Sequence, residues 1–306
     1  DNNMLSMMLE TSAGSGEYKE TTATSWPTDG YEFNETLSKC ERGSKLSWDS
    51  TKKTVVMTGN NSDKCYVYFD KTITLVDYVK AQYTGTQGEN NLYFHDSTLT
   101  NGAGDNSYRY AGSSETTNNF VCFGYDSTDG TCPNDNLYRI IGVFDGEVKL
   151  IKYDYAKSTL LGTDGNYSNT YSSLMFSTAS YKGNNSLSEI GIYYWNVLNQ
   201  NEWSTSRLNT TNLNTNYLRN IGTKWSNKIA THTWKVGGNT TSNIYSVTAS
   251  NTYTNEITTP AENTTYEAKV GLMYVSDYGY AASSSSWSTT LNNYNNVRAN
   301  NWMYIG

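Results

Sequence analysis

The stretch Leu137-Tyr138-Arg139-Ile140-Ile141-Gly142-Val143-Phe144-Asp145-Gly146-Glu147-Val148-Lys149-Leu150-Ile151-Lys152-Tyr153 decides the fold class. Two runs rich in β-branched and aromatic residues flank Asp145-Gly146, and a two-residue hairpin turn favours that pair because both turn positions need positive φ. The segment therefore predicts an antiparallel hairpin at the centre of a sheet. Downstream, Ser204 precedes Leu208, Leu213, Tyr217, Ile221, Trp225 and Ile229. From Leu213 the apolar residues fall four apart, which is helical spacing, and Gly222 divides the run into two short helices that should pack on the sheet. Lys269 to Val275 reads as another β-prone run, and Trp287 and Trp302 close a region made mostly of Ser, Asn and Tyr.

Upstream of the hairpin, Trp26 to Asp70 has the pattern of a small antiparallel sheet. Thr36 to Cys40, Lys45 to Trp48, Thr54 to Thr58 and Cys65 to Phe69 are short β-prone runs separated by polar turns. Cys65, Val67 and Phe69 alternate with Tyr66, Tyr68 and Asp70, so one face points inward. Thr72 to Tyr83 predicts a short helix with Leu75, Val76 and Val79 on one side. Thr84 to Asn119, punctuated by Gly and Asn, predicts surface loops and extended segments. At the start, Met4, Leu5, Met7, Met8 and Leu9 form an apolar cluster followed by Ser12-Ala13-Gly14-Ser15-Gly16, a flexible tether by composition. Such a cluster is stable only if something covers it, which makes it a candidate assembly segment.

Composition bounds the function. Lys plus Arg number 22 against 29 Asp plus Glu, a net charge of −7. With no basic run, the electrostatic footprint of nucleic-acid binding or of attachment to an anionic membrane is missing. The 27 Tyr and 8 Trp beside 3 Pro and 2 His describe a folded chain that offers many neutral hydrogen-bonding groups. No apolar run approaches the ~20 residues of a membrane-spanning helix. Asp1 reads as a mature or excised end, with any membrane anchor outside the chain as given. The 4 cysteines, Cys40, Cys65, Cys122 and Cys132, have neither metal-chelating spacing nor a nearby His. They read best as two local disulfides, Cys40 with Cys65 and Cys122 with Cys132, which points to an oxidising extracellular compartment, at the cell surface or secreted.

The series Tyr138-Arg139-Ile140-Ile141-Gly142-Val143-Phe144 with Val148-Lys149-Leu150-Ile151, then Trp203-Ser204-Thr205-Ser206, then Val270-Gly271-Leu272-Met273-Tyr274-Val275-Ser276-Asp277-Tyr278-Gly279-Tyr280-Ala281, resembles a family of Gram-positive bacterial surface proteins. These look distantly similar to C-type-lectin-like and formylglycine-generating-enzyme-like domains. The resemblance covers about Asn106 to Gly306, and its motifs speak to fold rather than to function. It implies an α+β, mainly β protein: a small disulfide-tied β module followed by a C-type-lectin-like mixed domain that appears incomplete at its C-terminus. The expected organisation is an apolar segment and tether over 1–19, the β module over 20–72, a helix and loop connector over 73–105, and the C-type-lectin-like domain over 106–306. The resemblance does not carry enzyme activity over, because the formylglycine-generating enzymes place working cysteines late in the domain and none follows Cys132 here.

Candidate chemistry is sparse. His95 in Tyr93-Phe94-His95-Asp96-Ser97 and His232 in Thr231-His232-Thr233-Trp234 are expected to be structural or merely exposed. Adjacent strand residues face opposite ways, so Asp96 and Ser97 cannot complete a triad with His95. Asp126-Ser127-Thr128-Asp129-Gly130 and Asn134-Asp135-Asn136 gather oxygen ligands without calcium-loop spacing and read as solvated turns, so no metal and no cofactor is expected. What remains is aromatic. Tyr274, Tyr278, Tyr280 and Trp287 are the candidate ligand-binding group, since such rings bury area and still hydrogen-bond. The expectation is a non-enzymatic extracellular structural or adhesive protein, partnered by copies of itself in a filament or by a host or cell-surface glycan or protein.

Overall fold

A computed structural model describes residues 5–126, 130–168, 192–196, 200, 202–238, 246–293 and 297–304. It is mixed α/β with more strand than helix, two disulfides and a curled half-barrel sheet. The chain divides into two compact units, Asp1–Tyr78 and Val79–Gly306.

The first unit is built on β1 (Leu5–Glu10), which lies between β2 (Tyr18–Thr21), antiparallel to it, and β7 (Cys65–Lys71), parallel to it. The Met/Leu cluster is thus a core strand of its own unit, with Met7 only 6% exposed; Leu5 is exposed and Met4 lies outside the described residues. Leu5–Glu10 thus shares one unit with the strands of the β module instead of standing apart from it as a tethered segment. Pairing on both sides satisfies the backbone of Leu5–Glu10, and the sheet's own apolar face covers Met7. β3 (Tyr31–Phe33) and β4 (Lys39–Cys40) pair with the other edge of β7, while β5 (Lys45–Asp49) and β6 (Thr54–Thr58) form a separate hairpin. The expected alternation holds: Cys65, Val67 and Phe69 are 1%, 0% and 0% exposed and form one core with Met7 and Leu46. Cys40 stands directly opposite Cys65 in the ladder, and the disulfide joins them.

Helix α1 (Leu75–Ala81), with Val79 fully buried, carries the chain onward. In the second unit β8 (Leu92–Phe94), β9 (Tyr108–Tyr110), β10 (Phe120–Cys122), β11 (Leu137–Phe144) and β12 (Glu147–Lys152) make one sheet. β11 is its centre: β12 pairs along one edge, and β10 followed by β9 along the other. The hairpin turn has Asp145 at φ 49° and Gly146 at φ 80°, the positive pair that its sequence predicts. A register shift between Ile140 and Gly142 inserts Ile141 as an extra residue, and Tyr138 through Val143 are all buried because both faces of this central strand are covered. The stretch expected to be a connector, 73–105, instead supplies the sheet strand β8 and the buried His95. Leu92 and His95 are both 0% exposed, so the spacing of Gly and Asn around them marks turns between core residues rather than a surface path.

The later elements are short: α2 (Ser158–Leu161), the paired β13 (Tyr167–Ser168) and β14 (Ile192–Tyr193), the wide helix α3 (Leu208–Tyr217), β15 (His232–Lys235) paired with β16 (Thr265–Ala268), α4 (Ala249–Tyr253) and α5 (Val275–Ala281). Lys269 to Tyr274, expected as strand, precedes α5 instead; the Asp277 carboxylate accepts from the Tyr274 N–H at 2.9 Å and stabilises the helix start. At the C-terminal end Val297 and Trp302 are each 1% exposed, and the Trp302 indole donates to the Tyr110 carbonyl at 2.8 Å. Arg139 stacks on Trp302 and Phe120 and donates to Asn119, Ser114, Thr117 and the Trp302 carbonyl.

Candidate functional site

The residues expected to bind a ligand do not share an exposed face. Tyr280 and Trp287 are 1% exposed and pack edge to face on each other; Tyr280 meets His95 edge to face and Trp287 meets it tilted, in a core with Ala111 and Ala249. Tyr274 is half-buried; its hydroxyl accepts from the Lys235 N–H at 2.8 Å and its ring covers the Lys149 ammonium at 3.9 Å. Tyr278 is half-buried, and its carbonyl accepts from Asn301 at 2.8 Å. These aromatics build the interior because α5 turns its Tyr280 and Gly279 side inward; a Cβ at Gly279 would stand 2.9 Å from that of Ala249.

Under them lies a charged network. The Arg109 guanidinium, on β9, donates to Asp105 at 2.8 Å and Ser107 at 2.9 Å and stands 3.6 Å from Asp277. The Lys149 ammonium reaches the other Asp277 oxygen at 2.6 Å. Glu256 caps α5 by accepting from the Val275 and Ser276 N–H groups at 2.7 and 3.0 Å. Burial pushes the Glu256 carboxyl up despite those bonds. Burial would also raise Asp105, but the Arg109 charge and the Ser107 hydroxyl outweigh it and hold the carboxyl low. The Nδ1 of His95 accepts from the Ala103 N–H at 3.0 Å, and burial, helped by the Arg109 charge, drives the ring down to about 3, so it is neutral. His232 is half-exposed and lies 3.0 Å from the Glu147 carboxylate. The network ties β9, β12 and α5 together.

The first unit carries a surface cleft. A cleft of about 500 Å³ is walled by Tyr31 and Phe33 of β3, Trp48 of β5 and Phe69 of β7. Alternation on β3 and β5 turns these rings to one side, where Phe33 and Trp48 stack at 6.4 Å and 19°. Phe69 meets both edge to face at 5.9 and 5.8 Å and forms the floor, fully buried, while Trp48 is partly buried. Thr28, Glu35, Ser50 and Lys53 line its edge, whereas Glu32 and Ser47 border it through strands whose alternation turns their side chains to the opposite faces. The β5 to β6 turn that carries Ser50 and Lys53 is fixed by Asp49, which accepts from the Thr51 and Lys52 N–H groups at 3.0 and 2.9 Å. Sequence reasoning passed over this group. The signal was present in Phe33 and Trp48, each flanked by polar residues in a strand too short to bury both faces.

Both expected disulfides are formed, Cys40 to Cys65 and Cys122 to Cys132. Among the described residues no cluster of His, Cys, Asp and Glu suits a metal ion, and no helix is long and apolar enough to cross a membrane. Of the Asp126 to Gly130 turn, residues 127–129 lie outside the described residues; Asp126 pairs with Lys224 at 2.5 Å. Comparison with protein-family models, with curated proteins and with solved structures finds no match. The resemblance to bacterial surface proteins therefore rests on its motifs alone.

Proposed function

We propose that this chain is an extracellular bacterial surface protein with an adhesive role, and that the aromatic cleft between β3 and β5 makes the contact. The observation that carries this reading is the cleft itself: a partly buried Trp48 stacked on Phe33, with Thr28, Glu35, Ser50 and Lys53 along its edge. Apolar ring faces beside adaptable polar groups form the chemistry of recognition surfaces. A disulfide across β4 and β7 holds the sheet that carries it, and two disulfides are compatible with an oxidising compartment. Contact through the cleft takes precedence over filament assembly through the N-terminal segment, because Leu5–Glu10 is already paired on both sides within its own sheet. A C-type-lectin-like character of the second unit is part of the same proposal and is supported by the motif series from Tyr138 to Ala281.

Two measurements test it. Protease treatment of intact cells should release peptides of the chain if it is displayed outside. Beads coated with the full chain should adhere to glycan- or matrix-coated surfaces, and beads coated with the Trp48→Ala chain should not. Adhesion that survives the substitution would contradict the cleft as the contact.

A further inference from the structure

We propose that Lys149 and Asp277 condense into an intramolecular amide, which joins β12 covalently to α5. The two side chains come from positions 128 residues apart and meet in the interior of the second unit. There the Lys149 ammonium lies 2.6 Å from Oδ2 of Asp277, with the aspartate side chain 1% exposed and the lysine side chain 16%. A nitrogen so close to a carboxylate oxygen stands roughly 3–3.5 Å from the carboxyl carbon, the separation from which two positioned groups react. Packing holds both partners in place. Three rings surround the ammonium, Tyr274 at 3.9 Å, Trp234 at 5.2 Å and Phe144 at 5.7 Å. The carboxylate is fixed at the start of α5, where Oδ2 also accepts from the Tyr274 N–H at 2.9 Å.

In water such a pair stays charged. Burial narrows the gap between the charged pair and the neutral one, so a proton can pass from Nζ to Oδ2 along the hydrogen bond. The freed amine then attacks the carboxyl carbon. The Nζ–Cγ bond forms, the Cγ–Oδ2 bond breaks, and Oδ2 leaves as water with two protons that the ammonium carried. The last proton stays on the amide nitrogen, so the step needs no oxidant, reductant or co-reactant. Arg109 favours the step from the other oxygen. Its guanidinium stands 3.6 Å from Oδ1, an atom with no hydrogen-bond donor among the described residues. In the carboxylate the negative charge is shared by both oxygens, whereas in the tetrahedral intermediate it lies on Oδ1 alone. Arg109 therefore attracts the intermediate more strongly than the starting anion. Hydrolysis would require water to return to a side chain that is 1% exposed, which protects the bond once it is made. The cross-link would keep the second unit from being drawn out between Lys149 and Asp277, and it does not depend on the adhesive reading.

The test is the intact mass of the full chain with its disulfides reduced, followed at neutral pH until it stops changing. The wild type should end lighter than its sequence requires by one water, and protease digestion should yield the Lys149 and Asp277 peptides joined through an amide. Lys149→Arg keeps the cation beside Asp277 but offers no neutral amine, and it should retain its full mass. Should that variant not fold, the wild-type mass and the joined peptides decide alone. A wild type that keeps its full mass throughout would overturn the proposal. So would a loss of water that also occurs in Lys149→Arg, or one that digestion places at a cyclised Asp-Gly pair.

Discussion

Arg139 shows most clearly how this molecule spends a charge on structure. It is 2% exposed, and it donates to four neutral acceptors: Asn119 and Thr117 at 2.7 Å, Ser114 at 2.8 Å and the Trp302 carbonyl at 3.2 Å. Burial lowers the guanidinium to about 10, which still leaves it charged at neutral pH. Arg139→Lys should cost about 3 kcal/mol or more in chemical denaturation, because a lysine ammonium cannot reach these acceptors together and each one left buried and unpaired costs about 1–3 kcal/mol. His95 makes the opposite case, a titratable ring kept neutral. Its folded value, about 3, lies below the ordinary 6.5, so the unfolded chain binds a proton that the native chain refuses. Stability of the second unit should therefore fall as pH drops below 6.5, by about 2–3 kcal/mol over two pH units. Glu256 acts with the reverse sign: its raised value removes stability as pH climbs above the ordinary carboxylate range, so it does not cause the loss on acidification. His95→Asn keeps an acceptor for the Ala103 N–H and cannot titrate, and thermal melts of this variant should show a flatter pH profile between neutrality and mild acid.

At the scale of elements, the hairpin was legible and the wide helix was not. Asp145-Gly146 specified its turn locally, and the two strands formed where the β-branched runs lay. The bulge at Ile141 was hidden because a one-residue insertion leaves composition unchanged, yet Gly142 marks it. A Cβ there would stand 2.0 Å from the Tyr108 carbonyl, so Gly142→Ala should separate β9 from β11 and lower the melting temperature of the second unit by several degrees. An unchanged melt would mean that β9 moves aside freely. The four-residue spacing of apolar side chains from Leu213 was legible as helix, but the wide, π-type winding of Leu208–Tyr217 was not. Asn209, Asn212 and Asn216 are buried on it beside Leu208, Leu213 and Tyr217. Asn212 and Asn216 both donate to the Leu161 carbonyl, at 2.8 and 3.0 Å, which fixes the loop after α2. An Asn-rich segment reads as polar surface until the backbone carbonyls that it satisfies are known. The β-prone run at Lys269 to Val275 failed for a related reason: the Asp277 and Glu256 carboxylates, one local and one distant, start a helix there.

Across the whole molecule, composition predicted the character of the chain and misplaced its contacts. The tryptophans of the second half looked like a surface because Tyr, Ser and Asn surround them, but Trp287 and Trp302 fill the interior and bond their indoles to the Ala282 and Tyr110 carbonyls at 2.9 and 2.8 Å. The small first unit has less volume in which to hide aromatics, and there Trp48 stays only partly buried over a fixed aromatic floor. The apolar start of the chain, which looked as if it needed a neighbour, is a strand of that unit's sheet. The two cysteine pairs were legible from count and spacing, since each closes a short loop, 25 and 10 residues apart. The account's central claim is that contact is made through the Trp48 cleft. The most direct test is retention of the full chain on a broad array of immobilised glycans and matrix proteins, wild type beside Trp48→Ala, with matched thermal melts. The account predicts discrete signals that disappear in the variant while its second unit melts unchanged, and signals that persist in the variant would contradict it.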